Sequence, residues 1–119
     1  VRRLTPDLLA IVTERAAAQW PWARAPGTLR IGWLIGSDGV DGPFCLARRT
    51  DAWQIVGWMP DTATAFLLTG TIEPRDIAPD ARTAWRIRLA RLDQAAALIQ
   101  RARETACATL AALDDGFVR

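Results

Sequence analysis

The chain has 119 residues, half of them apolar and about a quarter charged, with a formal net charge of +2. That suits one folded domain, residues 1–119, with its own core, and it excludes a disordered chain or a strongly polycationic one. Every cationic side chain is arginine, lysine, histidine, tyrosine and asparagine are absent, and tryptophan occurs six times. The absences exclude an imidazole proton shuttle or metal ligand, a Schiff-base lysine and the lysine of a phosphate-binding loop. Arginine and alanine in place of lysine and asparagine is the bias that a GC-rich coding sequence would produce.

Thr5, Pro6 and Asp7 form a helix start: a hydroxyl cap, proline in the first turn and an acid near the positive helix end. Leu8, Leu9, Val12 and Ala16 then recur at helical spacing until Pro21 stops the run. Asp7 and Glu14 make this an amphipathic helix rather than a signal peptide, and no run approaches the length of a membrane span. The expected compartment is therefore the cytoplasm. The stretch from Pro21 to Gly27 is a connector that places Trp22 at the end of a core.

Three strands follow. In the segment 29–36, Leu29, Ile31, Trp33 and Ile35 alternate with Arg30, Gly32, Leu34 and Gly36. A glycine-punctuated turn leads to a second strand over 43–49, and Thr50-Asp51 reverses the chain. The third strand, 52–59, carries Trp53, Ile55 and Met59 on one face and Gln54, Val56 and Trp58 on the other. The segment 63–70 reads equally as a fourth strand or a short helix. Short connections favour an antiparallel meander.

From Asp80 to Asp115 there is neither proline nor glycine, and alanine is abundant, which favours helix. A 4-3 spacing joins Trp85, Leu89, Leu92, Ala96, Ile99, Arg103, Ala106, Leu110 and Leu113, and it passes Asp93 without a slip. The competing reading makes 83–92 a strand, because Trp85, Ile87 and Leu89 alternate with Arg86 and Arg88. The expected fold is α+β: an N-terminal helix, a three- to four-stranded antiparallel meander and a long C-terminal helical segment.

Candidate chemistry is sparse. Asp38 and Asp41 lie in a glycine-rich turn, but no closing glutamate follows at calcium-loop spacing. Gly36, Gly39 and Gly42 precede a strand, whereas the dinucleotide fingerprint precedes a helix. Glu73 and Asp76 read as solvated loop charges. Cys45 and Cys107 have no metal spacing and no histidine to activate them, so both read as buried thiols. Neither a cofactor nor a metal is expected, and the chain reads as non-catalytic.

Binding is the better expectation. If helices cover only one sheet face, Leu34, Val56 and Trp58 form an apolar surface for a protein partner. If each helix covers a face, every tryptophan is core. The 4-3 stripe, with Leu92 and Ile99 at its centre, exceeds what a small sheet needs and predicts a homodimer through residues 85–113. Arg103 within it then calls for an acidic partner such as Glu104 or Asp114. The leading expectation is a small adaptor or accessory protein. The alternatives are a nucleic-acid binder using Arg86, Arg88 and Trp58, and a pocket protein in which Trp33, Trp53 or Trp58 line an apolar cavity.

Overall fold

The structure, a computed structural model, describes residues 5–117, with side chains through Leu113. It is an α+β protein in the predicted order, with five strands where three or four were expected. The first helix, α1 (Pro6–Gln19), opens as its sequence requires, with the Thr5 hydroxyl accepting from the Leu8 N–H. A 3-10 turn at Pro21–Arg24 leads into the strands β1 (Leu29–Ile35), β2 (Val40–Arg48), β3 (Trp53–Met59) and β4 (Thr64–Leu67). After a second 3-10 turn at Pro74–Asp76 come β5 (Ile77–Ala78) and the helix α2 (Ala81–Phe117).

The strand order is β4-β3-β2-β1-β5, with every pairing antiparallel. The four longer strands form the expected meander. The fifth was missed because it is a two-residue apolar step between Pro74 and Pro79, too short to show alternation. Segment 63–70 resolves as strand β4, paired with β3 from Val56–Leu67 to Met59–Thr64.

Alternation along the strands produces two separate cores. On one face, α1 seats Leu9, Val12 and Ala16 over Cys45, Ala47, Val56 and Ala65. On the other, Phe44, Leu46, Trp53 and Ile77 form a buried cluster that includes no helical residue and is flanked by Leu34, Ile55 and Ile72. That second face is closed by the chain itself. Ile72 bonds to the backbone of Trp53 on β3, and Ile77 pairs with Leu34 on β1. The intervening residues thus carry the chain from one side of the meander to the other over its apolar face.

A third, smaller cluster joins Ile35, Ala78 and Ala84, with Trp33, Val40 and Ile87 around them, and anchors the start of α2. Asp80 caps this helix, its carboxylate accepting from the Thr83 N–H at 2.7 Å. Ala84, Ile87, Arg88 and Arg91 recur at helical spacing and face the sheet. From Leu92 to Leu113 every residue is exposed. The molecule is accordingly elongated, 77 × 27 × 25 Å, with α2 projecting beyond the sheet.

Candidate interaction surfaces

The predicted apolar sheet face does not exist as a surface. Val56 is buried beneath α1, and Trp58 is half-buried beside the same cluster. Leu34 belongs to the opposite face, half-buried against the helix-free cluster. The correction has a plain cause: α1 covers one face and the crossing from Ile72 to Ile77 the other, so the three side chains share neither a face nor an opening.

The seam residues have the opposite fate. Trp85, Leu89, Leu92, Ile99, Leu110 and Leu113 are each 48–61% exposed. Successive helical residues turn by about 100°, so the stripe through Trp85, Leu89 and Leu92 lies beside the sheet-facing row of Ala84, Ile87, Arg88 and Arg91. The sheet uses one flank of α2 and leaves the stripe uncovered. The strand reading of 83–92 is replaced by helix throughout.

Nor are the proposed nucleic-acid residues brought together. Arg88 donates to the Gly36 carbonyl at 2.7 Å, bracing α2 against the turn between β1 and β2. Arg86 is exposed on α2, while Trp58 lies on β3 in the α1 cluster. The three tryptophans offered as alternatives for lining an apolar cavity belong to three clusters: Trp33 beside α2, Trp53 in the helix-free core and Trp58 by α1.

The carboxylates and thiols fall into structural roles. Glu73 pairs with Arg75 at 2.8 Å, and Asp76 with Arg91 at 2.9 Å. Cys45 is buried under α1, where burial pushes its thiol pKa up and the nearby Thr13 hydroxyl, 3.4 Å away, only partly offsets this. A raised pKa leaves less thiolate and so a poorer nucleophile. Cys107 is exposed, contrary to expectation, because α2 is clear of the sheet at that point. Glu104 accepts from Gln100 within the same helix, and the side chain of Asp114 lies outside the described residues.

One cluster escaped the sequence reading. Arg30 and Arg48 both lie over the ring of Trp53, and Arg49 lies over Trp22, which stacks on Trp20. The strand pattern put Arg30 opposite its apolar neighbours, but only the β1–β2–β3 register brings it to Arg48 and Trp53.

Among the described residues no helix is long and apolar enough to cross a membrane. No family model, curated protein or solved structure matches this chain.

Proposed function

We propose that the protein is a non-catalytic interaction protein that self-associates through the projecting part of α2 and acts as a small adaptor or accessory protein. The observation that carries this reading is the uncovered stripe from Trp85 to Leu113, on a helix whose described side chains are all exposed from Leu92 onward. Helices in proteins owe most of their stability to burying an apolar face. Six large side chains, each about half exposed, leave on the order of 600 Å² of apolar surface per chain, close to the ~800 Å² that one partner buries in a standard interface.

A second copy is the occupant this surface fits. The 4-3 spacing is the repeat by which one helix meshes with another like it, and Ala96 and Ala106 let the axes approach to about 8–10 Å. Arg103 favours an antiparallel pairing, since a parallel in-register pair sets two guanidiniums face to face. Antiparallel packing also places the two sheets at opposite ends.

Sedimentation equilibrium tests the reading. The wild type is expected at twice its 13.1 kDa chain mass, and Leu92→Glu with Ile99→Glu at the monomer mass with the sheet intact. A wild type that stays monomeric at tens of micromolar, or a double variant of unchanged mass, overturns self-association. A monomeric wild type would assign the stripe to a different protein.

A further inference from the structure

The end of the sheet where β1 begins and β2 ends carries an unneutralised arginine cluster. Arg30, Arg48 and Arg49 are exposed, and among the described residues none lies in an ion pair, whereas Arg75 and Arg91 each do. Each of the three guanidiniums rests on an indole instead. Arg30 and Arg48 have their central carbons 4.7 and 5.5 Å from the centroid of Trp53, and Arg49 is 5.2 Å from that of Trp22.

These rings are firm supports. Trp53 is only 4% exposed, held by the helix-free core, and Trp22 stacks on Trp20 at 5.3 Å. Sharing one ring also holds the Arg30 and Arg48 charges within about 10 Å of each other, about a Debye length at 0.1 M salt. Two like charges that form no ion pair among the described residues favour an anion that bridges them. Arg48 and Arg49, with Trp22 and Thr28, line a groove of about 230 Å³ beside them.

We propose that this arginine–tryptophan end of the sheet binds the phosphodiester backbone of a single-stranded nucleic acid. A guanidinium fork matches two phosphate oxygens, and its ring support reduces the freedom lost on binding. The three groups sit on two rings that belong to opposite faces of the same sheet end, with Arg48 and Arg49 sharing the groove between them. The ligand they suit is therefore a chain that passes round that end with a negative charge at every step, as a phosphodiester does whatever its sequence. The indole faces are already occupied by guanidiniums. Contact is therefore to phosphates rather than by base stacking, and binding is sequence-independent. This site is separate from the α2 stripe and does not depend on self-association.

The test is anisotropy of a labelled single-stranded oligonucleotide titrated with full-length protein between 50 and 200 mM salt. Three phosphate contacts predict a log–log salt slope of about −2, roughly a fifteen-fold loss across that range. Arg30→Gln, Arg48→Gln and Arg49→Gln combined should weaken binding at least tenfold at low salt and flatten the slope. The control, Arg82→Gln, Arg86→Gln and Arg101→Gln on α2, removes equal charge and should keep the slope, as should the Leu92→Glu, Ile99→Glu variant. Circular dichroism of each variant checks that the fold is kept. Absence of wild-type binding at 50 mM salt overturns the proposal. So does a sheet variant that binds as the wild type does, an α2 control that loses as much, or equal competition by polyglutamate of the same charge.

Discussion

The carboxamide of Gln19 pairs with both backbone groups of Ala65. Its Nε2 donates to the Ala65 carbonyl at 2.7 Å, and its Oε1 accepts from the Ala65 N–H at 2.9 Å. Ala65 lies on β4, at one edge of the sheet, so the last residue of α1 acts as a single-residue strand there. An unprotected edge is a template for pairing with another chain, and this bond pair blocks it at its buried position.

Gln19→Ala leaves a donor and an acceptor at a buried residue unsatisfied. The expected cost is about 1–3 kcal/mol in urea unfolding. Gln19→Glu keeps the acceptor and loses the donor, so it should fall short of wild type too. A glutamate variant as stable as the wild type would show that the amide donor contributes nothing.

Leu9 measures how firmly α1 closes its face. It is 2% exposed among Val12, Cys45 and Val56, so Leu9→Ala should cost about 2–5 kcal/mol. Ile11, on the solvent side of the same helix, should tolerate alanine within about 0.5 kcal/mol. Chemical denaturation of the two variants compares them directly.

The thiols should behave as a contrasted pair. Cys107 is exposed and Cys45 is buried, so an aromatic disulfide reagent should modify one thiol rapidly in the native protein and the second only on unfolding. The raised Cys45 pKa also links to stability. The folded state holds this proton more tightly than the unfolded chain, so the contribution is full below the unfolded thiol pKa. It is lost as pH rises from there through the higher folded value. Cys45→Ala should flatten that alkaline decline.

Asp80 should show the opposite sign. Its hydrogen bonds with Thr83 hold its carboxyl pKa below the usual value. Its contribution is therefore present above the unfolded carboxylate pKa and lost as pH falls through the lower folded one. Asp80→Ala should speed amide exchange in the first turn of α2 at neutral pH, while Asp80→Asn, which keeps a capping oxygen, should restore much of the protection.

Arg91 joins α2 to the turn before β5 through Asp76 and the Arg75 carbonyl, at 2.9 and 2.7 Å. Both charged partners are more than a third exposed, so screening limits the loss in Arg91→Ala to about 1 kcal/mol or less. Arg91→Lys should recover only part, because one ammonium cannot reproduce the two-pronged contact. Hydrogen exchange in residues 77–91 is the direct readout.

Much of the architecture was legible as local pattern. The cap before Pro6, the alternation through 53–59 and the unbroken 4-3 spacing past Asp93 each follow from residues a few positions apart, where backbone geometry alone sets the period. The face assignments of Trp53 with Ile55, and of Val56 with Trp58, came from that same alternation. It could not tell what would cover either face. Ile77 and Ala78 lacked the length to register as a strand, although an apolar pair between two prolines in a polar loop was their signal.

What the sequence by itself determined was therefore α1, the first three strands and the helical C-terminal segment, the absence of histidine and lysine chemistry, and the stripe along α2. Only the tertiary structure decided that α1 buries Val56, that the chain closes over Trp53, and that Arg88 and Arg91 brace a helix while Arg30 and Arg48 converge on one ring. Periodicity tells which residues share a face. Burial and charge pairing depend on which distant segment meets that face, and that is a property of the packed chain.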